Sequence, residues 1–146
     1  MLISFFEFLI FIISCSIYGV RNDAFLAPNP HALDLLGWQD CKKIKNQYQL
    51  WRWITPIFLH GHFEHICGNV AGQLFMGSNI ENGIGPWYML FLYLLSGIGG
   101  NLLSGILHPA SFGVGASTSV FGLVGYYIAY IFTDWDAMGR NGRDWC

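Results

Sequence analysis

Two short stretches carry the residue types that chemistry needs. The first, His60-Gly61-His62-Phe63-Glu64-His65, runs on to Asn69, and the second is Gly115-Ala116-Ser117. Acyl transfer requires a nucleophile, and hydrogen-bond donors aimed at the oxyanion that forms on the attacked carbonyl. A serine emerging from a Gly-Ala turn is uncrowded, so the Ser117 hydroxyl can meet a substrate backbone. His65 and Asn69 stand one helical turn apart, which puts an imidazole N–H and an amide NH2 on one helix face. If that helix neighbours the one Ser117 opens, both donors converge with the Ser117 backbone N–H. Blander readings stand beside this one. A serine at a helix start commonly caps it, its oxygen accepting from an orphan backbone N–H. Three histidines and a glutamate within six residues could ligate a metal, or could be structural histidines around a helix start. The pattern is not His-Glu-x-x-His, however, and the remaining histidines, His31 and His108, lie far off in sequence, so no metal is expected.

The elements that position these residues are set by charge. Residues 82 to 133 are fifty-two consecutive positions without Asp, Glu, Lys or Arg. At about 20 residues per span they hold two membrane helices, with the turn at His108-Pro109-Ala110-Ser111-Phe112-Gly113. Of the 146 residues, 53% are hydrophobic and 11% charged, against about 25% charged in an average soluble domain. The net charge of −2 offers no footprint for nucleic acid. Cys15, Cys41, Cys67 and Cys146 form no Cys-x-x-Cys pair, so neither a disulfide framework nor a zinc knuckle is supported.

Read in order, the chain is one all-α membrane domain over 1–146, a polytopic transmembrane helical bundle. Its spans fall near 2–20, 64–82, 86–107 and 116–133, with 21–63 as the first loop. The first run carries a single charge, Glu7, placed to snorkel to an interface or to face other helices. The loop holds Pro28, Pro30 and the Cys41-Lys42-Lys43-Ile44-Lys45 cluster, which reads as a solvated loop. Leu50 to Phe63 is too short to span and is broken by Pro56, which fits an interfacial or re-entrant segment. His65, Asn69 and Gln73 share one face of the second span, beside a Gly68–Gly72 strip that permits close helix approach. Such a polar stripe should face protein or a water-filled cavity. Five of the seven basic residues, Arg21, Lys42, Lys43, Lys45 and Arg52, lie between the first and second spans. Counted alone, they would put the loop in the cytoplasm.

Taken together, these motifs resemble the rhomboid intramembrane serine proteases. Trp51-Arg52, His60, His65, Asn69 and Glu81 match the family's first loop and second helix in order and spacing. Ser96-Gly97-Ile98-Gly99-Gly100-Asn101 resembles its third helix, and Gly115-Ala116-Ser117 with Phe121-Gly122 its Gly-x-Ser nucleophile motif. The resemblance covers residues from about 50 to 130. It implies Ser117 as nucleophile, His65 and Asn69 as oxyanion donors, and structural roles for Trp51, Arg52 and Glu81. It also implies an outer or lumenal first loop, against the charge count. No cofactor is implied, and the partners would be the lipid bilayer and transmembrane segments of single-span substrates. Thr118 departs from the glycine that usually follows the family's serine. The family core has six spans with its general-base histidine on the sixth, so a chain showing four is expected to be an incomplete rhomboid, with the base absent and little activity. The alternative is a non-catalytic relative that binds transmembrane helices. A channel or small transporter would need a polar pathway, and only one polar stripe is visible.

Overall fold

The computed structural model describes residues 2–133, so the polar tail expected over 134–146 lies outside the described residues. Helix α1 (Leu2–Ile17) is followed by a two-residue antiparallel ribbon, β1 (Val20–Arg21) with β2 (Ala27–Pro28), then α2 (Pro30–Leu36) and α3 (Cys41–Gln47). Two 3-10 turns, Leu50–Trp53 and Thr55–Phe58, lead into α4 (Phe63–Gly72). A π turn (Gln73–Gly77) joins α4 directly to α5 (Ser78–Ile84), and α6 (Pro86–Leu107) and α7 (Ser117–Thr133) complete the described chain. Among the described residues, α6 alone is long and apolar enough to cross a membrane by itself; α1 and α7 are shorter apolar helices.

Local chemistry explains the boundaries. Gly19 takes φ +72°, a conformation that ends α1 before the tyrosine-glycine-valine stretch can extend it. Asn29 caps α2, accepting from the His31 N–H, with Pro30 at the first position. Gly37, at φ +101°, closes it by donating to Leu33 and Asp34 carbonyls, a left-handed C-terminal cap. The Lys42–Lys45 cluster is helical rather than an irregular loop. Asp40 accepts from the Lys42 and Lys43 N–H groups and Ile44 is buried. A cap and one apolar anchor suffice to order that segment.

The first loop folds onto the helices through Arg52, which is 5% exposed. Its guanidinium donates to the Trp38 and Asp34 carbonyls at 2.9 Å each, and to Gln49 Oε1, and it faces the Asp34 carboxylate at 3.3 Å. Partial burial disfavours the Asp34 charge, but the Lys43 and Arg52 cations outweigh it and hold the carboxyl below its ordinary value.

Helices α6 and α7 pack through small residues. A Cβ on Gly100 would lie 2.6 Å from Thr118 Cβ, one on Gly97 would strike Ser119, and one on Gly122 would strike Ser96. Backbones that meet this closely gain dispersion contacts where no hydrophobic force separates helix from lipid. Ile57, Ile80, Met89, Tyr93, Ala116 and Leu123 form the central apolar cluster. It ties the second 3-10 turn, α5, α6 and the Ser117 turn together.

Candidate active site

The Ser117 turn is built from three backbone anchors. Gln39 and Gly113 exchange backbone hydrogen bonds at 2.9 and 3.2 Å, and the Gly115 N–H donates to the Pro56 carbonyl at 2.9 Å. Gln39 is in turn fixed by donating from Nε2 to the Asn101 carbonyl, while Asn101 donates to the Trp53 carbonyl. Trp38 stacks on Phe112 with ring centroids 4.4 Å apart. Loop residues from Gln39 to Pro56 thus set where the Ser117 turn stands. Gln39 carries no motif that sequence reading could single out, and Pro56 shows in the sequence only as a breaker, because their part here is played by backbone geometry and a single amide.

Gly115 takes φ +122°, a region that L side chains rarely enter. Its missing side chain makes room for His65 and Asn69. A Cβ there would lie 2.6 Å from His65 Nε2 and 3.6 Å from Asn69 Nδ2. The edge of the imidazole and the amide nitrogen therefore press directly on the backbone two residues before Ser117. Consecutive Cα atoms are about 3.8 Å apart, so Ser117 stands within two such steps of that contact.

Ser117 is half-buried and opens α7. The first backbone bond of α7 runs from the Val120 N–H to the Ala116 carbonyl, leaving the Ser117 N–H ahead of the helical ladder. The positive end of a 17-residue helix faces the same space and favours negative charge there.

Asn69 is 7% exposed, and its Nδ2 has no hydrogen-bond partner among the described residues. An unpaired buried donor costs about 1–3 kcal/mol, which a fold tolerates where a ligand supplies the acceptor. His65 sits over the same turn, edge-on to His60 with centroids 5.2 Å apart. His60 is fully buried, and neither ring nitrogen makes a well-formed hydrogen bond. Burial, then the neighbouring His65 ring, push its pKa down from 6.5 to about 3, with the Phe58 backbone offsetting this in part. His60 is therefore a neutral wall behind His65. His62 begins α4: its Nδ1 accepts from the His65 N–H at 3.2 Å.

The remaining histidines stand apart. His31 is exposed and packs edge-on against Tyr18. His108 is exposed at the end of α6, where its backbone N–H donates to the Ser104 carbonyl. The Ser117 hydroxyl has no hydrogen-bond partner among the described residues, His108 included. Arg52, for which the resemblance implies a structural role, makes the loop contacts described above. Trp51 is 53% exposed, and Glu81 lies in α5 at the far end of the α4–α5 run from His65.

The sequence matches the family profile described as Rhomboid domain over residues 47–145. Among curated relatives, it is 36% identical over 129 residues to Rhomboid-like protease 3 of Toxoplasma gondii, covering 88% of this chain and 47% of that protein. It is 43% identical over 98 residues to Rhomboid-like protease 1 of the same organism, covering 66% of this chain and 33% of the relative. RHOMBOID-like protein 1 of Arabidopsis thaliana is 32% identical over 116 residues, 80% of this chain and 30% of its own length. The chain thus spans less than half the length of each of these relatives. A profile match over residues 47–145, with relatives 32% to 43% identical, leads to one statement: this chain belongs to the rhomboid family.

Proposed function

We propose that this chain carries the nucleophile half of an intramembrane serine endopeptidase site, acting on transmembrane segments of membrane proteins. Ser117 is the nucleophile. His65, Asn69 and the Ser117 backbone N–H are the donors that receive the oxyanion. The observation that carries this is the Asn69 amide, buried without a partner against the glycine that leads into Ser117. Donors preorganised in a dry site stabilise the transition state without reorganising as charge develops.

In a bilayer the described helices form a multi-pass bundle, α1, the α4–α5 run, α6 and α7 each traversing much of the apolar core. The first loop lies on the outer or lumenal side. Its basic residues are less of an obstacle than their number suggests, since Arg21 faces Asp23, and Lys43 and Arg52 face Asp34.

The site has no general base among its described residues. Each of the five histidines has another place in the fold, and serine at its ordinary pKa is a poor nucleophile. General-base assistance contributes about 10²- to 10⁴-fold, so the 146-residue chain by itself has little proteolytic rate. The same observation favours the second reading, a non-catalytic rhomboid that binds transmembrane helices.

A serine-directed fluorophosphonate separates the two. The chain is tested alone and after co-expression with rhomboid helices that carry the family's general-base histidine, each with a Ser117→Ala control. Ser117-dependent labelling that emerges on co-expression is the expected result. Its absence, with the helices shown to associate, leaves the binding reading. Strong Ser117-dependent labelling of the chain alone would locate a base within it, and His108 would be the first residue to mutate.

A further inference from the structure

One helical turn along from Asn69 lies a second buried polar cluster that the proposed chemistry does not use. The Ser4 hydroxyl donates to Gln73 Oε1 at 2.6 Å. Gln73 Nε2 donates to Glu7 Oε2 at 2.8 Å and to the Tyr93 hydroxyl at 2.6 Å. Tyr93 then donates to Glu7 Oε1 at 2.8 Å. Glu7, Gln73 and Tyr93 are all fully buried. Both donor chains end on Glu7, which accepts through both oxygens, from Gln73 and from Tyr93. Three elements are joined: α1, the π turn and α6. Ser119 of α7 completes the circle; its fully buried hydroxyl lies beside Tyr93 without completing a hydrogen bond of its own.

Gln73 is the first residue of the π turn. A π turn inserts one residue into the α ladder, is intrinsically unfavourable, and offsets the faces on either side of it. It persists only where side chains hold it. Here Gln73 is gripped from α1 and α6 at one end, and the Tyr127 hydroxyl of α7 donates to the Met76 carbonyl at 3.3 Å at the other. Released, the run from Phe63 to Ile84 would relax toward a regular α-helix. The Asn69 face would then rotate against Gly115, because Ile80 is fixed in the central apolar cluster.

We propose that Glu7 is a positioning residue for the oxyanion donors: it holds Gln73, and with it the π turn that aims Asn69 at Gly115, and it holds Tyr93, against which the nucleophile helix seats. This rests on the assignment of Asn69 as a donor, but its geometry can be tested without catalysis. The chain is placed in bicelles with nitrogen-15 in the Asn69 side-chain amide and the Gly115 backbone, and both resonances are followed by NMR. Glu7→Ala is expected to displace both by more than their linewidths. Glu7→Gln should return them to the wild-type positions. Its carbonyl can accept from Gln73, its amide can donate to Tyr93, and the Tyr93 proton can turn to Ser119. Leu33→Ala, a core truncation in α2 outside both the network and the central apolar cluster, serves as the destabilised control and should leave both in place.

Should Glu7→Ala fail to fold, Tyr93→Phe removes a single hydroxyl and should displace the same two resonances by less. Resonances unmoved by the Glu7 or Tyr93 variants, moved equally by Leu33→Ala, or not restored by Glu7→Gln would overturn the proposal. A failure of Ser117 to react while these resonances respond as expected would count against the catalytic assignment and leave the positioning role standing.

Discussion

Two buried polar clusters stand one helical turn apart on the same run of chain, and they differ in a single respect. Around Gln73 the donors of Ser4, Gln73 and Tyr93 all find acceptors, ending on Glu7 or on one another, and the Ser119 hydroxyl is left over at the margin. Around Asn69 the donor is unmatched among the described residues, and it faces a glycine with no side chain to offer. Burial is nearly the same in both places. Low dielectric strengthens a complete network and penalises an incomplete one. The lower cluster therefore reads as structure, and the upper one as a place kept ready for an atom that is not part of the protein. The difference makes opposite predictions for substitutions only four residues apart.

The largest effect belongs to Gln73→Ala. It removes three interhelical hydrogen bonds, each worth about 0.6 kcal/mol in membrane helices, and leaves the Glu7 carboxylate with one donor instead of two. A total loss of about 2–4 kcal/mol is expected once the stranded carboxylate is included, read by thermal or denaturant unfolding in detergent. A loss under about 0.5 kcal/mol would mean the lower cluster is not a working network.

Gly115→Ala comes next. The backbone there is at φ +122°, and the new methyl would stand 2.6 Å from the His65 ring. Backbone strain of this kind costs about 1–3 kcal/mol, and relief requires His65 to move off the turn. Unfolding and the His65 ring resonances both report it. Unchanged His65 resonances with unchanged stability would remove the close contact on which the upper cluster depends.

Much of this was legible in the sequence, for definable reasons. The charge-free run from 82 to 133 announces α6 and the short α7 because lipid excludes ionised side chains, and the family resemblance is now carried by the Rhomboid-domain match. The spacing of His65, Asn69 and Gln73 places all three on one face. It could not say that the face divides into an unpaired upper part and a paired lower part, since that depends on partners sixty-six and twenty residues away in Glu7 and Tyr93. Glu7 was visible as the lone charge of α1, with two possible destinations; burial among helices is the one found. Tyr93 was hidden, because an aromatic within an apolar run looks like core until a carboxylate arrives beside it. The helical state of Lys42–Lys45 was hidden for a different reason: a seven-residue helix has little periodicity, and its Asp40 cap is a single residue.

A smaller effect follows from His60, which belongs to the wall of the upper cluster. Its folded pKa of about 3 lies below its ordinary 6.5, so between those values the unfolded chain binds the proton that the folded chain refuses. Stability is full above about pH 6.5 and falls as pH drops toward 3. One pH unit below 6.5, the loss from this group is about 1.4 kcal/mol. Asp34 contributes in the same direction only lower, since its folded pKa is depressed below its ordinary 3.8. Unfolding of the parent and of His60→Leu, compared at pH 7.5 and 5.5, isolates the histidine. The two proteins should differ in their pH response by about that amount, and parallel responses would show that His60 meets solvent or a partner.

The smallest stability effect is predicted where the catalytic effect is large. Asn69→Leu nearly conserves shape and deletes a buried donor that no group among the described residues satisfies. Removing an unpaired polar group carries no lost hydrogen bond to set against the gain in apolar burial. Stability should therefore stay within about 0.5 kcal/mol of the parent, or rise. In the co-expressed form with a general base, the same change should slow Ser117 labelling by about 10²- to 10³-fold, the usual effect of losing one oxyanion donor. The pairing of those two results is what matters, because a structural asparagine would lose stability and reactivity together. A loss of 2 kcal/mol or more on the unfolding curve, about what a satisfied buried amide costs to remove, would place Asn69 with Gln73 in the structural network. The two clusters would then be one.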